Sequence, residues 1–397
     1  MTSTDDLKLP IYLDYQSTTP TDPRVLKAML PYFFDKPGNP HSQTHSYGRE
    51  AQDAVEAARA QIAAIIGSDA REVIFTSGAT ESNNLALKGA AQFYGNEKRR
   101  IITTTTEHKC VIESCRNLGS NGYDIVFLPV EKSGLIDLNR LAAEITNDTL
   151  LVSVMAAHNE IGVIQQIASI GDLCRRNGVL FHTDSAQAVG KIPINVNTMN
   201  IDLMSISGHK MYGPKGIGAL YVRHRPRVRL NAQIDGGGQE RSLRSGTLPT
   251  PLCVGLGAAC QIASDELVQE AQRIGDLRDC LYEGVAERLP DVTVNGDLNH
   301  RLPGNLNLSF ADLDCETIMS ALPDIAISSG SACTSNSIEP SYVIRALGLS
   351  EEIARSSFRF GIGRFTTKAE IDYVIERLTD EVVSLRARGT THRTVAR

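Results

Sequence analysis

The sequence predicts an α/β protein in which a mainly parallel, seven-stranded sheet lies between helices and a smaller α+β domain follows. Short β-branched runs alternate with helical patterns over the first part of the chain, an order typical of parallel sheets covered on both faces. At 397 residues, the chain is longer than most domains that fold around a single hydrophobic core, so two domains are expected. A long helical pattern from residue 250 then leads into a region of shorter elements.

The strands and helices of the large domain follow from hydrophobic periodicity. The predicted strands are Glu72–Phe75, Ile101–Thr104, Asp124–Leu128, Leu150–Met155, Val179–Thr183, Leu203–Ile206 and Gly218–Val222. The helices predicted among them are Ala51–Ile66, Glu81–Phe93, Leu138–Ile145 and Ile167–Arg176. In sheets of this kind ligands bind at the carboxyl ends of the strands, so we expect functional residues directly after these runs.

The smaller domain follows a connecting helix from Thr250 to about Leu289. Its predicted elements are Asn305–Ser309, Cys315–Ala321, Ile325–Ser328, Phe358–Phe360 and Lys368–Ala387. We therefore predict four parts: residues 1–14 as an N-terminal segment packing on the small domain, 15–260 as the large domain, 261–385 as the small domain, and 386–397 as a disordered basic tail.

Composition narrows the class of protein. The net charge of −6 argues against bulk nucleic-acid binding, and no apolar run reaches membrane-spanning length. The acidic N-terminus lacks the apolar core of a secretion signal. Eight scattered cysteines without a C-x-x-C pair argue against a metal site built within this chain and against a disulfide framework. These features predict a reducing, cytoplasmic location.

Lys210 stands in an unusual setting. The apolar run 201–204 ends in Ser205, Ser207, His209 and Lys210, and glycine and proline then turn the chain back. A lysine at a buried strand end can form an imine with an aldehyde, while nearby hydroxyl and backbone N–H groups hold a phosphate. This combination suits pyridoxal phosphate (PLP). For the residue alone, the alternative is a solvated lysine in a turn.

Three further strand ends carry polar residues. The segment Thr76–Glu81 opens a helix and suits a phosphate, although simple helix capping is the better explanation when the segment is taken alone. Asp184 could pair with a pyridinium nitrogen and Gln187 could donate to the phenolate oxygen, or the aspartate could cap a turn. His108 could stack on a ring and move protons, or be structural.

Cys333 lies in a run of small polar residues, 328–336. Such a run predicts an exposed loop, unlike the helical settings predicted for Cys174, Cys260 and Cys280. A thiolate there is suited to attacking a substrate atom and carrying it away. An incidental surface thiol is the alternative.

Taken together, these segments resemble the cysteine desulfurases of the class V aminotransferase family. The resemblance to this family also includes segments 38–42, 236–241 and 244–247. The cysteine loop and the segment Glu339–Tyr342 resemble the IscS/NifS subgroup. The resemblance runs from about Tyr12 to Leu378 and implies PLP fold type I. It also implies removal of sulfur from L-cysteine, giving L-alanine and a persulfide on Cys333.

The resemblance implies roles at the cofactor. Lys210 would bind PLP covalently and later act as the general base. Asp184 would face the pyridine nitrogen, Gln187 the phenolate oxygen, and His108 would stack on the ring. The phosphate cradle would comprise Ala79, Thr80, Ser207 and His209.

The resemblance also implies contacts with substrate and partners. Asn159 and Arg359 would grip the substrate carboxylate, with Asn159 also beside the cofactor. Thr247 would reach the phosphate from the partner subunit of a homodimer. Sulfur would pass from Cys333 to acceptors for iron–sulfur cluster assembly, other thio-cofactors or tRNA thiolation. With an IscU-type scaffold, Cys333 would be a transient cluster ligand; the basic C-terminus departs from the extension that commonly docks this scaffold.

Two other functions stay open at this point. One is another PLP enzyme of class V, such as an aminotransferase or a selenocysteine lyase. The Cys333 loop argues against simple transamination, which needs no mobile thiol. A competition experiment between L-cysteine and L-selenocysteine would distinguish a selenocysteine lyase from a cysteine desulfurase. The other is a non-catalytic dimeric scaffold, which intact Lys210, Asp184, His108 and Cys333 argue against.

Overall fold

The computed structural model of the chain describes residues 7–329 and 340–395. In chain order, the strands and helices are β1 (Ile11–Tyr12), α1 (Pro23–Met29), α2 (Pro31–Phe34), α3 (Ser46–Ile66), β2 (Val73–Thr76), α4 (Ala79–Tyr94), β3 (Arg100–Thr104), α5 (Lys109–Ser120), β4 (Asp124–Leu128), α6 (Leu138–Glu144), β5 (Thr149–Ser153), α7 (Ile167–Arg176), β6 (Leu180–Asp184), β7 (Leu203–Ser207), β8 (Gly218–Val222), α8 (Thr250–Arg288), β9 (Val292–Val294), β10 (Asn305–Phe310), α9 (Cys315–Ala321), β11 (Ile325–Ala326), α10 (Tyr342–Ala346), α11 (Glu351–Arg355), β12 (Ser357–Gly361) and α12 (Lys368–Val395).

The large sheet has seven strands in the order β2-β8-β7-β6-β5-β3-β4. Strands β3 to β7 pair in parallel, whereas β8 runs antiparallel to both β2 and β7. Strands β5, β7 and β8 are buried at every position, as expected for a sheet covered on both faces. The predicted fold class, a mainly parallel seven-stranded sheet with a smaller C-terminal domain, is confirmed.

Helix α3 begins five residues earlier than the sequence pattern indicated. Its N-cap is His45, whose side chain accepts a hydrogen bond from the Gly48 backbone N–H at 3.1 Å. Apart from the buried Gly48, residues 46–50 are exposed, so the first turn carries no apolar periodicity that would have marked the start. The helix ends at Gly67, whose φ of 70° lies in the left-handed region that favours glycine.

Helix α8 connects two hydrophobic cores. Its first half contributes Cys253, Leu256 and Cys260 to the core beneath the large sheet. Its second half contributes Leu277 and Leu281 to a second core, together with strands β10 and β12. Although α8 is 39 residues long, no helix in residues 7–329 and 340–395 is long and apolar enough to cross a membrane.

The smaller region contains an antiparallel sheet in the order β12-β10-β9. The rings of Phe310 and Phe358 stack within its core, with centroids 4.8 Å apart. At the start of the chain, β1 pairs in parallel with β11, aligning Ile11 with Ile325. Strand β9 is only three residues long and lacks an extended alternating pattern, so the sequence analysis did not identify it.

The last helix differs from the disordered tail expected from residue 386. Helix α12 continues to Val395. Arg388 donates to Glu381 at 2.8 Å and to the Ser384 hydroxyl at 2.9 Å, on the preceding turns of the same helix. These contacts give Arg388 partners within its own helix, which the net charge of the segment did not predict.

Candidate active site

The carboxyl ends of β6 and β7 border an open cleft of about 1410 Å³, which includes space open to solvent. The predicted site residues that line it are Ala79, Thr80, His108, Asn159, Asp184, Gln187, Ser207, His209, Lys210 and Arg359. Thr247 is exposed and is not among the residues lining this cleft. Cys333 lies outside the described residues, while Ser328, shortly before it in the chain, lines the cleft.

Lys210 lies in a 3₁₀ turn, Gly208–Lys210, directly after β7. Its Nζ donates to the backbone carbonyls of Gln16 at 2.8 Å and Ser17 at 2.6 Å. The neighbouring His209 ring nitrogen Nδ1 is 3.0 Å from the Thr18 hydroxyl. Desolvation and the positive charge of Lys210 lower the pKa of His209 to about 4, so this ring is neutral near pH 7.

Asp184 ends strand β6 and is only 6% exposed. Its Oδ2 accepts from Asn83 Nδ2 at 2.7 Å, and its Oδ1 accepts from the Ala186 backbone N–H at 2.9 Å. Two donors therefore hold a carboxylate in place at the cleft.

The start of helix α4 forms another wall of the cleft. Its N-cap is Gly78, with φ at 150°, and no side chain in the described part of the chain caps the first turn. Glu81 instead accepts from the Ser77 backbone N–H at 2.8 Å and pairs with Arg244 at 2.9 Å. The N–H groups at the start of a 16-residue helix thus face the cleft without a side-chain cap, which favours an anion site over simple capping.

A close backbone approach shapes this wall. A Cβ on Gly218, at the start of β8, would lie 2.6 Å from the Gly78 Cα. Glycine at residue 218 therefore lets β8 pack directly beneath the turn that opens α4.

Arg359 lies on β12 and brings the smaller region to the cleft. Its guanidinium donates to Asp14 Oδ1 and Ser17 Oγ, both at 2.7 Å, and to the Asn159 carbonyl at 2.8 Å. Its Nε is buried and has no hydrogen-bond partner among the described residues. An unsatisfied buried donor on a guanidinium suits a carboxylate ligand.

The chain matches the family model "Aminotransferase class-V" over residues 11–374. A cysteine desulfurase from Homo sapiens is 60% identical over 377 residues, which cover 95% of this chain and 82% of that protein. The cysteine desulfurase IscS of Rickettsia typhi is 59% identical over 381 residues, 96% of this chain and 93% of that protein. The chain is a cysteine desulfurase of the IscS/NifS type, within the class V aminotransferase family.

A solved structure supports the same assignment. A NifS-like protein superposes with a TM-score of 0.88 at 35% identity, covering 94% of this chain and 99% of that one. Cysteine desulfurases are PLP-dependent enzymes, and the likeness extends over both the large sheet and the smaller region.

Lys191, which the sequence analysis did not identify, contacts Gln187, one of the residues that line the cleft. Lys191 Nζ donates to Gln187 Oε1 at 2.8 Å, and Gln187 Nε2 donates to the Gln16 carbonyl at 2.8 Å. Desolvation lowers the pKa of Lys191 to about 7, with Lys210 and Arg359 adding to the effect. The two residues lie four positions apart in a turn outside any helix or strand, so no periodic pattern in the sequence indicated their contact.

Glu107 lies behind the cleft wall and is completely buried. Its Oε1 accepts from the Met155 backbone N–H at 2.7 Å and from Thr104 at 3.2 Å, while Oε2 has no partner among the described residues. Burial raises its pKa to about 8, and the charge of Asp184 adds to this. Glu107 is therefore protonated near neutral pH.

Proposed function

We propose that this desulfurase uses PLP to remove sulfur from L-cysteine, releasing L-alanine and leaving a persulfide on Cys333. The observation that carries the proposal is the placement of the Lys210 amine and the Asp184 carboxylate in one cleft, beside the start of helix α4. A planar aldehyde with a phosphate needs these three groups together. No observation specifically favours either of the two rival functions, a selenocysteine lyase or a non-catalytic scaffold.

The residues of the cleft fit PLP. Lys210 would bind the aldehyde carbon, and Asp184 would keep the pyridine nitrogen protonated. The backbone of Ala79 and Thr80, with Ser207 and His209, would hold the phosphate. His108 would stack on the ring. When bound, PLP supplies an electron sink that weakens the bonds at the substrate α-carbon.

The substrate carboxylate fits Arg359 and Asn159. The guanidinium already lies at the cleft, held by Asp14 and by the Asn159 carbonyl. Its unsatisfied Nε offers a donor for a carboxylate oxygen. Binding there would direct the substrate amine and α-carbon toward Lys210.

Proton and sulfur transfer then fall to separate groups. The Lys210 amine would take the α-proton, since its two carbonyl partners hold it at the cleft. The Cys333 thiolate would attack the substrate sulfur; the carbon–sulfur bond breaks, its electron pair stays with the carbon, and that carbon takes a proton. His108 would accept and return protons during sulfur transfer.

The proposal extends to partners and location. The enzyme would act as a homodimer, in which the exposed Thr247 reaches the phosphate in the partner subunit. Sulfur would pass from Cys333 to acceptor proteins, including an IscU-type scaffold for iron–sulfur assembly, where Cys333 would transiently bind a nascent cluster. All cysteines in the described residues are free thiols, in keeping with a reducing cytoplasm.

The test is to incubate purified protein with L-cysteine and a reductant and to assay alanine and sulfide together. We expect equal amounts of both products and yellow, PLP-loaded protein. Cys333→Ala should keep the PLP absorbance but form no persulfide, whereas Lys210→Ala should lose alanine formation. Persulfide on the Cys333→Ala protein would show that another residue carries the sulfur. A colourless protein that forms no alanine would refute the proposal.

A further inference from the structure

Two residues outside the predicted site connect Asp184 to His108. Asn83 lies on α4 and is fully buried, and Cys110 lies on α5 and lines the cleft. Asn83 Nδ2 is 2.7 Å from Asp184 Oδ2 and 3.1 Å from Cys110 Sγ. Cys110 Sγ is in turn 3.0 Å from His108 Nδ1. A continuous row of hydrogen bonds thus joins the carboxylate to the imidazole.

The direction of each bond follows from the number of available hydrogens. The amide nitrogen of Asn83 carries two, and one points to Asp184 while the other points to Cys110. The Cys110 backbone N–H donates to His108 Nδ1 at 3.3 Å, so this ring nitrogen is an acceptor. The thiol must therefore donate its hydrogen to the same nitrogen.

We propose that Asn83 and Cys110 form a bridge that fixes the orientation and the proton position of the His108 ring. A neutral ring held in this way carries its hydrogen on Nε2. The role rests on the proposed function, in which His108 stacks on PLP and moves protons. Asn83 and Cys110 are accordingly positioning residues, which act through Asp184 and His108.

The bridge explains why a thiol lies at this point of the cleft. Sulfur accepts from Asn83 and donates to His108 at the same time, which an aliphatic side chain cannot do. Asn83 Oδ1 is buried and has no partner among the described residues, so the amide is oriented by its two donor bonds. Loss of the thiol removes both an acceptor for Asn83 and a donor for the ring.

The ring nitrogens can be observed directly by NMR. Protein labelled with ¹⁵N-histidine would be measured at about pH 8, with and without added PLP, and His108→Gln would assign the signals. We expect an unprotonated Nδ1 and a protonated Nε2 in the natural protein. Cys110→Ala should give averaged shifts from two interchanging forms, because one of the two donors to Nδ1 is lost, and Cys110→Ser should largely restore the original pattern.

Kinetics give a second readout. Cys110→Ala should lower kcat about fivefold with KM for L-cysteine unchanged, the usual effect of one lost hydrogen bond. Cys110→Ser should recover most of this loss. Cys115→Ala, at a fully buried thiol on the same helix that does not line the cleft, is the matched control and should change neither readout.

Unchanged His108 signals in Cys110→Ala would overturn the bridge, as would an equal loss of kcat in the Cys115→Ala control. Failure of the proposed function would look different. In that case the natural protein would form no alanine but would still show the expected ¹⁵N shifts of His108, and Cys110→Ala would still lose them. The bridge would then be supported and the proposed reaction would be wrong.

Discussion

The Lys191 amine lies 2.8 Å from Oε1 of Gln187, which is four residues earlier in the chain. An amide group can be turned either way, and this donor fixes the oxygen on the Lys191 side. Gln187 Nε2 is then directed to the Gln16 carbonyl, which also accepts from Lys210. Lys191 thus orients the donor that would meet the phenolate oxygen of PLP.

Replacing Lys191 by methionine should weaken PLP binding. The change keeps the length of the side chain but removes the donor, so the Gln187 amide loses its preferred orientation. We expect the Kd for PLP to rise about three- to tenfold, the usual effect of one lost hydrogen bond. Titration of the apoprotein with PLP, followed by absorbance, measures it. Lys27→Met, at an exposed lysine on α1, is the charge-matched control, and an equal change there would contradict the assignment.

Glu107 should make stability depend on pH. Its pKa is about 8 in the folded chain, whereas an unfolded glutamate has a pKa of about 4.3. As the pH rises from about 4 to about 8, the unfolded chain releases a proton that the folded chain retains, so the folded state loses stability. Relative to Glu107→Gln, the natural protein should lose a few kcal/mol of unfolding free energy over this range.

Urea unfolding of both proteins at about pH 5 and pH 8 measures this difference. Glu113→Gln changes an exposed carboxyl on α5, the helix that carries Cys110, and serves as the control. A stability difference between the natural protein and Glu107→Gln that stays constant with pH would contradict the buried, protonated state of Glu107.

A buried ion pair should stabilise the turn that precedes Thr247. Arg59 bonds both oxygens of Glu240, at 2.7 and 2.8 Å, and the Phe75 N–H donates to the same carboxylate. Glu240 begins a run of three residues with positive φ, through Ser242, which is strained backbone for residues other than glycine. The pair holds this run against strand β2.

Glu240→Ala should therefore lower the free energy of unfolding by about 3–5 kcal/mol, because it leaves the Arg59 charge buried without this partner. Glu56 also contacts Arg59 but is 56% exposed, against 2% for Glu240. Glu56→Ala is thus the matched control, and we expect a loss of about 1 kcal/mol or less. Denaturant unfolding compares the two, and equal losses would refute the argument.

The sequence was most informative where chemistry and periodicity coincide. Helix α7 was predicted at its observed bounds. Ten of the predicted site residues line one cleft, and most of them do so because they follow strands of the large sheet, whose ends converge there; Arg359 comes from β12 of the smaller sheet. The acceptors for Lys210 are backbone carbonyls of residues 16 and 17, which have no side-chain signature. Asn83 and Glu107 lie within helix and loop segments whose partners come from distant parts of the chain, so no local pattern indicated them.

Arg359→Lys should separate substrate binding from the later steps. Arg359 reaches the cleft as a planar fork whose two terminal nitrogens bond Asp14 and the Asn159 carbonyl, and its Nε, without a partner among the described residues, would be available to the substrate. Lysine keeps the charge but cannot reproduce this geometry. KM for L-cysteine should therefore rise about 10- to 100-fold, the range for a lost charge-assisted hydrogen bond, with a smaller change in kcat. Arg355→Lys, whose partner is the exposed Glu351, is the control and should leave KM unchanged. Should KM stay constant in Arg359→Lys while PLP binding weakens, Arg359 would contact the cofactor and not the substrate carboxylate.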